Sequence, residues 1–307
     1  MALQRQNSGV EPADLTYIAV QDDSKLEKSD VEYTGYADIP VTKVSPYAVK
    51  SPHLRECLAE FFGMFVLLSF GMGVNNQVSL SEDTRGTFMS INLCWGIAVM
   101  LGVHIAGGVS GAHLNPAVTI AFAVYKRIAW RKVPGYIVAQ MLGAFCAAFM
   151  IFMMYRPLIN NADPNHTTQQ VHFATYPRDL VPNTTAFYTE FFGAAMLLIG
   201  VFAVEDKCNK PGSKFTAPIA FCLLITAIGM AFGMNTGYAI NPARDFGPRF
   251  FTFLAGWGSM VFTKRDYYFW IPLVAPVLGC IAGGGLYKLF IEIHHPHPDA
   301  SQTSSEV

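Results

Sequence analysis

The triplet Asn115, Pro116, Ala117 recurs as Asn241, Pro242, Ala243, and Arg244 and Asp245 directly follow the second copy. An asparagine before a proline can cap a helix. Its side-chain oxygen accepts from the first free backbone N–H groups, and proline tolerates the first helical position because it has no N–H to lose. The amide N–H groups then remain as donors beside the positive end of the helix dipole, a setting that binds water or hydroxyl oxygens and repels cations and protons. One such triplet is an ordinary helix start; two at equivalent places are read as a functional pair. Arg244 ends a run from Phe215 to Ala243 that holds no Lys, Arg, Asp or Glu. An arginine at membrane depth costs at least ~2.5 to 3.5 kcal/mol, so Arg244 is expected to face a polar cavity or a partner.

Glu60 and Glu190 also fall within apolar stretches, where a proton relay is the default expectation for a carboxylate. The preferred reading is structural: each accepts from backbone N–H groups that a broken helix nearby leaves without partners. His113, two residues before Asn115, titrates near neutrality and is a candidate gate, a neutral histidine pinning its loop being the favoured alternative. Nucleophile, base and orienting group do not come together in the apolar core, which argues against an enzyme. The six cysteines, Cys57, Cys94, Cys146, Cys208, Cys222 and Cys280, have no metal-ligand spacing and read as small apolar side chains or free thiols. Prolines next to His294, His295 and His297 suggest a helix stop rather than a metal tract, so no metal or cofactor is expected.

The elements that must position these groups are membrane helices. Of 307 residues 52% are hydrophobic and 14% charged, about half the charge of an average soluble domain. Charge-free windows run over 61–81, 86–125, 133–155, 191–204, 215–243 and 267–287. The second is 40 residues long, about 60 Å as one helix and roughly twice the hydrocarbon core, so it must break. The break is at GGVSGAHLNP (107–116), after which a re-entrant half-helix starts at Pro116 and closes on Lys126, Arg127, Arg131 and Lys132. The window from 215 repeats the pattern: a span to about Phe232, the loop GMNTGYAIN, then a helix from Pro242. The first span takes in Glu60, and the fourth, started near Phe187, takes in Glu190.

The string EFFG at Glu60 returns 130 positions later at Glu190, and the Asn-Pro-Ala triplets and Gly111 and Gly237 are offset by 126. Ordered matches with near-equal offsets mark an internal duplication, repeat 1 about 56–155 and repeat 2 about 187–291. Each repeat holds three crossings and one half-helix. Three is odd, so the second repeat is inverted and the two half-helices meet near the midplane. The fold predicted is therefore all-α, six transmembrane helices plus two re-entrant half-helices, over 53–293. Polar tails, 1–52 and 294–307, are read as disordered. Lys50, Arg55, Lys207, Lys210 and Lys214 share a side with the basic cluster, which makes that side, with both termini, cytoplasmic. Sequons at Asn165 and Asn183 lie on the outer side, Asn165 being the better acceptor. Ser305, Glu306 and Val307 resemble a C-terminal ligand for PDZ domains.

Paired Asn-Pro-Ala boxes on inverted half-helices, the strings SGAHLNPA and NPARDFGPR, and Glu-Phe leaders in both first spans resemble the major intrinsic protein family over nearly all of 53–293. Asp245, Arg249, Pro272, Leu273 and a tyrosine ending the third span, Tyr155, look like the aquaglyceroporin branch. The resemblance implies a passive channel for glycerol, other small neutral solutes and water, in a homotetramer at the plasma membrane. It also implies a constriction walled by Trp95, Gly229, Tyr238 and Arg244, with Gly229 making room for a carbon backbone. Trp95 and Tyr238 would meet the CH faces of a polyol while Arg244 and the carbonyls of 237–239 bond its hydroxyls. An ion-coupled transporter, which shares inverted repeats and broken helices, would be expected to place carboxylates where this chain has asparagines and one arginine.

Overall fold

The computed structural model describes residues 47–209 and 216–295. The reading of the tails as disordered, Lys210, Lys214, His297 and the C-terminal Ser305, Glu306 and Val307 lie outside the described residues. Within them the chain is helical, without a strand.

The apolar windows become the helices α1 (Pro52–Leu80), α2 (Phe88–Ser110), α4 (Val133–Ala162), α5 (Asn183–Glu205), α6 (Thr216–Phe232) and α9 (Ile271–Phe290). Between α2 and α4 lies the half-helix α3 (Pro116–Val124), and after α6 its counterpart α7 (Pro242–Thr252). Phe253–Trp257 then widens into a π turn and a short α8 (Met260–Tyr267) leads into α9. Five helical stretches are long and apolar enough to cross a membrane, and α6 adds a sixth of 17 described residues, about 25 Å.

The third crossing does not stop at Tyr155. Helix α4 runs on through Pro157 to Ala162, because its end is set by Asp163 rather than by the last apolar residue. The Asp163 carboxylate accepts from the backbone N–H groups of Thr167, Thr168 and Gln169, the Thr167 hydroxyl and the Trp257 indole N–H. Burial alone would raise this carboxyl, but the donors outweigh it and hold it well below the usual carboxylate range.

Packing follows the duplication. Helix α1 lies against α2 and α4, as α5 lies against α6 and α9, and α2 meets α6 between the repeats. Each half-helix crosses over to the other repeat: α3 packs on α9 and α7 on α4. Close approach is possible because Gly143 of α4 abuts the Phe61 backbone and Gly279 of α9 abuts the Phe191 backbone, the two phenylalanines being equivalent in the repeat. Small residues at such crossings let backbones touch where lipid supplies no hydrophobic drive.

Candidate functional site

The two half-helices meet at their N-termini. Asn115 accepts from Ala117 N at 2.8 Å, and Asn241 from Ala243 N at 3.0 Å and Arg244 N at 3.2 Å, which caps both helices. Each asparagine also reaches across the junction: Asn115 Nδ2 donates to Ile240 O at 2.9 Å and Asn241 Nδ2 to Leu114 O at 2.8 Å. This reciprocal tie locks the half-helices end to end. Both side chains line one cavity that also takes in Trp95, Tyr238 and Arg244.

The loops before the half-helices hold an unusual backbone. Gly111 and Gly237 have φ of 83° and 85°, a left-handed conformation that costs glycine nothing. Ala112, Leu114, Tyr238 and Ile240 share positive φ (52°, 49°, 39° and 41°), at roughly 1 to 3 kcal/mol each. Two fully buried carboxylates hold these turns. Glu60 accepts from His113 N at 2.9 Å, Leu114 N at 2.7 Å, Ser110 Oγ at 2.6 Å and Gln140 Nε2 at 2.8 Å. Glu190 accepts from Ala239 N at 3.0 Å, Ile240 N at 2.7 Å and Thr236 Oγ1 at 2.7 Å. In a trans peptide the C=O points opposite the N–H. The carbonyls of Ala112, His113, Tyr238 and Ala239 are thereby aimed away from the glutamates, toward the cavity their residues line.

At the end of the cavity opposite the basic loops, the Arg244 guanidinium stacks 4.6 Å from the Trp95 ring and donates through Nη1 to Phe173 O at 3.0 Å. Arg244 retains only 7% of its surface. Tyr238 lines the same cavity as Trp95 and Arg244, and Gly229 does not. A Cβ on Gly229 would lie 2.6 Å from Tyr238 Cζ and closer still to Asn92 Oδ1. The space that a missing side chain leaves is taken up by the Tyr238 ring, because both occupy the same corner behind the loop. Gly229 acts on the slot through Tyr238. Gly229→His is expected to push that ring into the cavity and narrow it beside Arg244. Gly229→Ala should do so less, and a structure of either variant with the Tyr238 ring left in place would refute the mechanism.

Asp245 and Arg249, fully buried, form an i,i+4 ion pair on α7, with Arg249 Nε 2.8 Å from Asp245 Oδ1 and Nη2 3.0 Å from Oδ2. The pair reaches the loop of residues 163–182. Thr175 donates to Asp245 through N (2.8 Å) and Oγ1 (2.6 Å), while Arg249 donates to Thr175 O and Val261 O at 2.6 Å each. The loop that carries the Phe173 carbonyl is thus bolted to the half-helix that carries Arg244. Pro272, buried, and Leu273, partly buried, sit at the start of α9.

The major intrinsic protein family model matches residues 47–287. The chain belongs to that family. An aquaporin-10 of Milnesium tardigradum is 44% identical over 262 residues, 79% of this chain and 64% of the relative. An aquaglyceroporin-9 of Botryotinia fuckeliana is 44% identical over 246 residues, 78% of this chain and 54% of the relative. The chain spans less than two thirds of the length of both. The X-ray structure of the aquaglyceroporin from Plasmodium falciparum superposes with a TM-score of 0.71 at 34% identity, covering 78% of this chain and 97% of that one.

In this major intrinsic protein, the remaining candidates have contacts of their own. The His113 ring lies between Phe122 and Tyr136, at 4.7 and 5.1 Å, and its Nδ1 is 3.1 Å from Thr119 Oγ1. Such packing pins the loop. Toward the basic end Glu205 lines the cavity and pairs with Arg127 at 3.3 Å. Asn165 is exposed in the turn after α4, whereas Asn183 starts α5 with Nδ2 donating to Asp266 O at 2.9 Å and Arg265 O at 3.3 Å. The reading of the 163–182 loop as only a glycosylation site missed Phe173 and Thr175, and no sequence period marks them. Ser110 and Thr236 were legible, since they share the offset of 126 that pairs the Asn-Pro-Ala boxes.

Proposed function

We propose that the chain is a passive channel conducting glycerol, other small neutral solutes and water, and excluding ions and protons. The observation that carries this reading is the amphipathic slot: the Trp95 and Tyr238 rings supply an apolar corner, and Arg244 and the aimed loop carbonyls supply donors and acceptors. A linear polyol has CH on one side and hydroxyls on the other, which matches such a slot. Farther in, the second N–H groups of Asn115 and Asn241 offer donors where two helix dipoles, each equivalent to about +0.5 charge, converge. A monovalent cation ~4 Å from Arg244 meets about 4 kcal/mol of repulsion at an effective dielectric of 20, a factor of about a thousand. Two relatives carry the name aquaglyceroporin, in keeping with a glycerol pathway.

Asn115, Asn241, Trp95, Tyr238 and Arg244 are the pore residues of this reading; Asp245, Arg249, Glu60 and Glu190 support them, and Gly229 acts behind Tyr238. His113 is assigned to pinning rather than gating. The basic loops orient the chain with both termini cytoplasmic, in the plasma membrane, as a homotetramer of independent pores glycosylated at Asn165, with Ser305, Glu306 and Val307 offered to a PDZ domain.

In proteoliposomes the purified protein is expected to accelerate both osmotic shrinkage and glycerol entry, without saturation at millimolar glycerol and without an ion gradient. Water flow with no glycerol entry would overturn the filter assignment, and strict dependence on a sodium or proton gradient would indicate a coupled transporter. The mass of the same preparation, before and after enzymatic glycan removal, reads the oligomer and the Asn165 glycan.

A further inference from the structure

We infer that Asn75 is a specificity-determining positioning residue: it holds the Trp95 indole as the fixed apolar wall of the slot and couples it to the loop that restrains Arg244. The inference rests on the channel reading and names a residue outside the Asn-Pro-Ala boxes and the constriction itself.

Asn75 sits near the C-terminal end of α1, which closes at Leu80, and is partly buried. Its Oδ1 accepts from Trp95 Nε1 at 3.1 Å, and its Nδ2 donates to His172 O at 3.2 Å. The next carbonyl along the chain, that of Phe173, accepts from Arg244 Nη1 at 3.0 Å. Arg244 in turn stacks on Trp95 at 4.6 Å. Asn75, Trp95, Arg244 and the successive carbonyls of His172 and Phe173 therefore form a closed ring of contacts around two walls of the slot. An amide suits the position because it is donor and acceptor at once; a carboxylate, a hydrocarbon or a lysine there would each lose at least one arm.

The ring has a direction built into it. Behind Trp95 stands Gly71, on the same helix as Asn75, and a Cβ there would lie 2.5 Å from Trp95 Cη2 and Cζ3. The indole lies close against Gly71, so a retreat toward α1 is closed to it. Once its N–H is released, the ring cannot back onto Gly71 and is free to swing toward the slot, where it obstructs a three-carbon solute before it obstructs water. The bond to Asn75 has a second effect: with Nε1 engaged, Trp95 offers the pore only its apolar face, which keeps hydroxyl recognition on the Arg244 side.

The test compares the ratio of glycerol to water permeability in proteoliposomes of the full chain. Asn75→Leu, with Asn75→Ala as a second removal, is expected to lower the ratio about fivefold, the factor that one net hydrogen bond corresponds to. Asn75→Asp keeps an acceptor for the indole but loses the donor to His172 O, so its ratio should fall, and by less than that of Asn75→Leu. In a Trp95→Phe background, which has no N–H to hold, adding Asn75→Leu should change the ratio by less than about twofold. An equal change in both backgrounds would show that Asn75 only ties α1 to the loop, and an unchanged ratio in Asn75→Leu protein that inserts and conducts would equally overturn the inference. Failure of the unsubstituted protein to pass glycerol would instead sink the channel reading, and with it this one.

Discussion

Asp245→Ala is expected to lower the thermal midpoint of the detergent-solubilised protein by roughly 10 °C. The substitution strands Arg249, whose surface is fully buried, and removes the acceptor of both Thr175 N and Thr175 Oγ1. Removing one partner of a buried pair costs about 3 to 5 kcal/mol, and each kcal/mol moves the midpoint of a domain this size by roughly 2 to 4 °C. The ladder of contacts from Asp245 through Thr175 to the Phe173 carbonyl implies a second consequence. Surviving Asp245→Ala protein should lose glycerol flux more than water flux, because Arg244 no longer has a fixed acceptor. Replacing both members, Asp245→Ala with Arg249→Leu, should recover part of the midpoint and none of the selectivity, since an apolar pair relieves the stranded charge but does not hold Thr175. A shift below about 2 °C for Asp245→Ala alone would show that the pair is not the bolt described.

Glu190→Leu is the second large effect, and its contrast with Glu60→Leu carries the information. Each substitution leaves two backbone N–H groups of a strained loop without an acceptor, at about 1 to 3 kcal/mol apiece. The loop held by Glu190 carries Tyr238 and the carbonyls at the constriction, while the loop held by Glu60 carries Ala112 and His113 nearer the basic end. Glu190→Leu should therefore reduce glycerol permeability at least about tenfold with a smaller loss for water, and Glu60→Leu should reduce both alike. Stopped-flow measurement of the two variants separates this from a proton relay. In a relay Glu190→Gln would alter proton flux and spare solutes, whereas here its NH2 would face the backbone donor of Ile240 or Ala239 and solute flux would fall.

Much of this architecture is carried by local pattern. An apolar run of the right length has to be a helix in lipid, because the bilayer offers no partner for a free backbone group. A run of twice that length has to break, and proline after asparagine marks where the new helix begins. The repeated EFFG and Asn-Pro-Ala strings fix the inversion, since an odd number of crossings separates them. Glu60 and Glu190 were legible as acceptors for the same reason that they are tolerable in a membrane: a nearby broken helix leaves donors to be satisfied.

The chain order alone therefore determined the six crossings, the two half-helices and their meeting at Asn115 and Asn241. Tertiary structure decided the rest. That α4 ends at Asp163 and not at Tyr155 depends on donors from Thr167, Thr168, Gln169 and the distant Trp257. Whether Gly229 is a wall or a backing depends on which side of it the Tyr238 ring falls. Asn75, Phe173 and Thr175 reach Trp95, Arg244 and Asp245 only because helix packing brings α1, α2, α7 and the 163–182 loop to one place. Membrane burial and backbone satisfaction act on each segment by itself and leave a periodic trace in sequence, whereas a side chain reaching across 20 to 100 positions, such as Asn75 to Trp95 or to His172, leaves none.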